Sequence, residues 1–110
     1  MKRIFIQQTV ISLFVLLVPL LSMAEGSFID GYAYIDGFSD HSGIDVTFQM
    51  VTPDSTSATV TTDASGYFSL DLDPGVYEVS YWKQFCVPPQ PLQDQSFYSD
   101  VTLPAITLEY

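Results

Sequence analysis

A serine or cysteine nucleophile needs a base to take its proton, and this chain offers one, His41, followed directly by Ser42 and Gly43. A relay from His41 to Asp40 or Asp45 can be drawn on paper. Neither a nucleophile elbow nor an oxyanion-hole motif surrounds it, so no catalytic residue is assigned and His41-Ser42-Gly43 reads as a surface turn. Asp71 and Asp73 could in principle form a carboxylate pair for glycoside chemistry. A domain this small leaves little room for a cleft that buries a sugar ring between them. The expectation is a protein that is not an enzyme and needs no cofactor.

Asp36, Asp40 and Asp45 fall in or beside one Gly-containing loop, and hard oxygen ligands at that density could hold Ca²⁺ at the end of a β-sandwich. The spacing does not match the twelve-residue calcium loop with its terminal Glu, so solvated surface acids are the rival reading. With one Cys and one His, neither a Cys-rich zinc site, a disulfide framework nor a two-His metal centre can be built. Cys86, flanked by Phe85 and Val87, is expected to be buried and unreactive. The chain has no Asn from Glu25 onward, which rules out N-glycosylation and an internal Lys-Asn cross-link. The remaining contact chemistry is aromatic. Tyr32, Tyr34, Tyr67 and Trp82 each alternate with inward-facing residues of their strands, and exposed aromatic side chains suit a protein or carbohydrate partner.

These residues must be positioned by a small exported domain. Of 110 residues, 47% are hydrophobic and 15% charged, with 13 acidic against 3 basic side chains. Lys2 and Arg3 precede an apolar run from Val10 to Leu21, and Ser22-Met23-Ala24 puts small residues at both critical positions of a cleavage site. Residues 1–24 therefore read as a signal peptide and 25–110 as one domain. The run is too short for a membrane span, which needs about 20 apolar residues. No membrane insertion is expected after cleavage, and the protein is expected to be secreted or periplasmic. Beyond position 3 the only Lys or Arg is Lys83, so a nucleic-acid partner is excluded on charge.

From Phe28 onward apolar residues recur at period two, the strand period, and no helical period runs for any length. Ile44, Val46, Phe48 and Met50 form one face of a strand; Phe68, Leu70 and Leu72 and then Tyr77, Val79 and Tyr81 do the same in two more. Ile29, Gly31, Ala33 and Ile35 line a thin inner face. The central core is expected to be Phe48, Phe68, Leu70, Tyr77 and Val79. Asp63-Ala64-Ser65-Gly66 suits a type I turn, and Asp73-Pro74-Gly75 suits type II. Together they predict a meander of three antiparallel strands over Thr59 to Tyr81. Val87 to Asp100, rich in Pro and Gln, is expected to be an irregular connection before a last strand near Leu103 to Leu108.

Taken in order, the strand with Gly31, the loop to His41-Ser42-Gly43-Ile44, the TTDASGYF segment from Thr61 and the LDPGVYEV segment from Leu72 resemble the carboxypeptidase-regulatory-like domains. The resemblance runs from Phe28 to about Lys83. It implies an all-β, prealbumin-like or Ig-like antiparallel sandwich of about seven strands. It also implies a non-catalytic module with a structural or protein-interaction role, the alternative being a small calcium- or carbohydrate-binding domain. The two segments are turn and core signatures, which carry the fold and not an activity.

Overall fold

The computed structural model describes residues 26–110; the expected signal segment and its cleavage site lie outside the described residues. Eight strands follow one another: β1 (Ser27–Ile35), β2 (Asp45–Thr52), β3 (Ser57–Thr61), β4 (Tyr67–Leu72), β5 (Gly75–Trp82), β6 (Leu92–Phe97), β7 (Val101–Thr102) and β8 (Ile106–Leu108). The first sheet has β1 between β4 and the pair β7 and β8, and the second runs β3-β2-β5-β6. The two sheets pack as an all-β sandwich.

The period-two pattern holds within β1, β2 and β5. Ile29, Ala33 and Ile35 of β1 face inward, as do Val46, Phe48 and Met50 of β2 and Tyr77, Val79 and Tyr81 of β5, all buried in one core with Ile44 just before β2. Inner rings meet across the sheets, Phe68 lying 6.3 Å from Phe48 and edge-on to Tyr81 at 6.3 Å, and within the second sheet Phe48 lies 6.2 Å from Phe97. Leu70 is a correction, since it is only half-buried against this core. Tyr81 has its hydroxyl buried without a hydrogen-bond partner in the described structure, and that desolvation pushes its pKa up to about 12.

The meander expected over Thr59 to Tyr81 does not form. β4 pairs antiparallel with β1 in the first sheet, whereas β3 and β5 both pair with β2 in the second. The turns on either side of β4 therefore carry the chain between sheets. A half-buried strand shows the same alternation whether its neighbour in sequence is beside it or opposite it, so the pattern alone could not choose.

The first turn keeps its expected chemistry. Gly66 N–H donates to Asp63 O at 2.9 Å, Gly66 takes φ +88°, and Asp63 Oδ1 accepts from the Ser65 and Tyr67 amides and the Ser65 hydroxyl. Those bonds, that of the Ser65 hydroxyl first, hold the Asp63 carboxyl below its ordinary pKa. The second turn is not type II, because Gly75 is absent from the positive-φ glycines and opens β5 instead. Its lack of a side chain serves a close approach: a Cβ there would stand 2.7 Å from Thr52 O. Two residues on, the Tyr77 hydroxyl donates back to Asp73 O at 2.6 Å, the arrangement known in Ig-like sandwiches as a tyrosine corner.

Two further corrections concern the C-terminal third. The stretch expected to be irregular contains β6, paired with β5. Its face was hidden because three residues of β5, Tyr77 to Val79, oppose four of β6, Gln95 to Leu92, and Asp94 takes φ +57° at that bulge. The extra residue breaks period two, so half-buried Leu92 and buried Phe97 face the core from positions of opposite parity. The single last strand is instead β7 and β8, and both run parallel to β1, so the sandwich is not purely antiparallel. Thr102 pairs with Asp30 and Ile106 with Ala33, leaving one residue too many around Pro104, which has no N–H to give the ladder.

Phe68→Ala is expected to cost about 3–5 kcal/mol in denaturant unfolding, the range for removing a buried aromatic ring. The neighbouring Tyr67→Ala should cost far less. The reverse order would place the strand one residue out of register.

Candidate functional site

Because β1 points its odd positions inward, its even positions, Phe28, Asp30, Tyr32 and Tyr34, stand on the outer face of the first sheet. Pairing then gathers neighbours onto that face. Tyr32 lies opposite Tyr67, and Asp30 lies between Ser69 of β4 and Thr102 of β7. The rings of Tyr32 and Tyr34 stack with centroids 6.0 Å apart, and those of Tyr32 and Tyr67 lie 5.2 Å apart and tilted. Such spacings leave no gap for a cation between rings, so the three tyrosines form a continuous ridge and not a cage.

Asp30 anchors the ridge. Its Oδ2 accepts from the Tyr67 hydroxyl at 2.9 Å and its Oδ1 from the Thr102 hydroxyl at 2.7 Å. The bond to Asp30 raises the Tyr67 pKa above its usual 10.0, with the carboxylate's charge and some desolvation adding to it. Since both hydroxyl hydrogens are committed to the carboxylate, the oxygens at this spot face solvent as acceptors. Asp30 escaped the sequence reading of the site. Its face was legible from alternation with Tyr32 and Tyr34, but Thr102 is a neighbour only through the parallel pairing of β7.

His41 closes one end of the ridge, its ring edge-on to Tyr34 at 5.0 Å. Its Nδ1 accepts the Ile35 amide hydrogen at 2.9 Å, which assigns the proton of the neutral ring to Nε2. The His41 carbonyl accepts from the Thr62 hydroxyl, which also takes the Ile44 amide, so the imidazole ties the loop to the end of β1 while Thr62 ties its backbone to the start of β2. Trp82, expected as part of the same contact set, stands on β5 of the second sheet opposite Asp45. It is 55% exposed and belongs to a different surface.

The calcium candidates are not brought together: among the described residues no three His, Cys, Asp or Glu side chains are grouped to hold a metal ion. Asp40 Oδ1 accepts the Ser42 amide, which holds the Asp40 carboxyl below its ordinary range, while Asp45 Oδ1 accepts from Thr61. Asp36 stands exposed after β1. A cleft of about 360 Å³ opens near Asp40, with Phe38, Lys83, Phe85, Cys86 and Tyr110 in its wall. Cys86 corrects the expectation of full burial. It is half-buried in that wall, because Phe85 and Val87, the neighbours expected to cover it, are themselves exposed.

No family model matches this chain, and no curated protein does. Among solved structures it is similar to the Bacillus anthracis TIE protein, with a TM-score of 0.52 and 9% identity. The match covers 71% of this chain and 15% of that one, and at such identity it speaks for the fold alone.

Asp30→Asn should bring the Tyr67 ionisation back toward its ordinary value in an absorbance titration. In the wild type, the raised Tyr67 pKa makes this bond a source of stability that is complete below pH 10 and fades as pH climbs through the folded-state value. The variant should lose that alkaline dependence.

Proposed function

We propose that this chain is a non-catalytic, exported β-sandwich module that engages a partner through the tyrosine ridge of its first sheet. The single observation behind this reading is the contiguous surface of Tyr32, Tyr34 and Tyr67 beside Asp30. Three aromatic rings on an outer sheet face, with Tyr32 still 41% exposed, do little for the core and offer a large contact area at low entropic cost. The strong excess of acidic groups favours a neutral or basic partner surface.

A carbohydrate is the second reading, favoured by the acceptor oxygens of Asp30, Tyr67 and Thr102 next to rings against which a sugar can pack. Kinship with the carboxypeptidase-regulatory-like domains is part of the proposal, supported by the Asp63 turn and the Leu72-to-Tyr77 corner. Export is supported by Lys2, Arg3, the apolar run and Ala24. Intact-mass measurement of the protein recovered outside the cytoplasm should show a chain starting at Glu25. Retention of residues 1–24 would place the protein at a membrane.

The binding test is capture from the native compartment, and of soluble polysaccharides, by wild-type protein and by a Tyr32→Ala/Tyr67→Ala variant. Truncating two central aromatic anchors should weaken a captured partner by about tenfold or more. Undiminished capture by a folded double variant would move the partner surface elsewhere.

A further inference from the structure

We propose that the cleft beside Asp40 and Lys83 binds a free amino acid with an apolar side chain: Lys83 takes its carboxylate, Asp40 its ammonium, and Phe38 and Tyr110 its side chain. This site uses none of the residues of the tyrosine ridge, and it stands or falls separately from it.

The first support is size and lining. A volume of about 360 Å³ sits at the lower end of small-molecule sites, and the wall is aromatic and aliphatic with a few convergent polar groups. Phe38 and Tyr110 pack against each other at 4.8 Å yet remain 44% and 70% exposed, leaving ring surface for a ligand. Phe85, on the same wall, is 78% exposed on a left-handed backbone with φ +70°. Neither core packing nor backbone preference explains an exposed phenylalanine in that conformation, and such strain gathers at ligand sites.

The second support is charge. The only Lys or Arg beyond position 3 is in this cleft. Its ammonium is seated over Gly43, where a Cβ would stand 2.8 Å from Nζ and where φ is +85°. Asp40 lines the same cleft, its carboxylate braced by the Ser42 amide, a bond that lowers its pKa below the ordinary carboxylate value. An anion without a balancing charge would meet the repulsion of the acidic domain, and a cation alone would face Lys83. A zwitterion carries no net charge and matches both groups.

The test is an NMR titration of the exported protein with L-phenylalanine, alongside phenethylamine, which lacks the carboxylate, hydrocinnamate, which lacks the ammonium, and L-alanine, which lacks the ring. Saturable shifts confined to Phe38, Lys83, Phe85 and Tyr110 are expected with phenylalanine; phenethylamine and hydrocinnamate should each bind about fivefold more weakly, as loss of one partly exposed ion pair implies, and L-alanine more weakly still for want of a ring to bury. Lys83→Gln should weaken phenylalanine by a similar factor and leave phenethylamine no weaker. Asp40→Asn should weaken phenylalanine and leave hydrocinnamate no weaker. The absence of a saturable shift with phenylalanine would overturn the proposal, as would equal binding of all four compounds or indifference to both substitutions in folded variants.

Discussion

Phe68 lays its ring over Gly31, the residue paired with it across β1 and β4, so closely that a Cβ on Gly31 would stand 2.9 Å from the ring's Cζ and 3.3 Å from Leu103 Cβ. This contact sets the thickness of the molecule. A thin central strand in the first sheet leaves space for a layer of large rings, and Phe68 reaches from there to Phe48 and Tyr81 of the second sheet. Phe48 passes the packing on to Phe97, which stacks with Tyr77 at 5.4 Å. The Ser27 hydroxyl, buried at the start of β1, donates to Phe97 O and ties the two sheets at one edge. Five aromatic rings, Phe48, Phe68, Tyr77, Tyr81 and Phe97, are packed among the aliphatic side chains of this core, and rings of that size carry a large share of its buried area.

What stands on the outside follows from that inner layer. Strand parity allows no independent choice: if Ile29, Gly31 and Ala33 face in, then Asp30, Tyr32 and Tyr34 face out. The ridge is thus placed by the core, and Gly66 helps to hold it in register, because its carbonyl accepts the Ala33 amide while its own lack of a side chain lets β1 come close. Thr62 does similar work for the loop that closes the ridge and opens the cleft. Nearly buried, it joins the His41 carbonyl to the Ile44 amide and so fixes where Asp40 and Ser42 stand.

The two candidate surfaces differ in the chemistry they offer. The ridge combines rings with oxygens that have already given up their hydrogens to Asp30, a surface suited to partners that donate hydrogen bonds. The cleft holds the sole Lys or Arg beyond position 3, with the Asp40 carboxylate and exposed rings in the same wall. Both lie on a domain whose acidic excess keeps other anions away.

Alternation in Ile44 to Met50 and Tyr77 to Tyr81 made the all-β class and most of the core legible, since side-chain parity is a local property of an extended chain. The Asp63 turn was legible for the same reason, its hydrogen bonds all closing within five residues. Of the site, the outward facing of Tyr32, Tyr34 and Tyr67 could be read, and their contact could not. Pairing joins positions far apart in the chain, and the sequence pattern is indifferent to which half-buried strand lies beside which. Only the folded molecule could therefore send β4 to β1, separate Trp82 from the tyrosines and leave Asp36, Asp40 and Asp45 ungrouped. Where a bulge at Asp94 or a break at Pro104 cancels parity, even the local signal fails, because one extra residue reverses every side chain that follows.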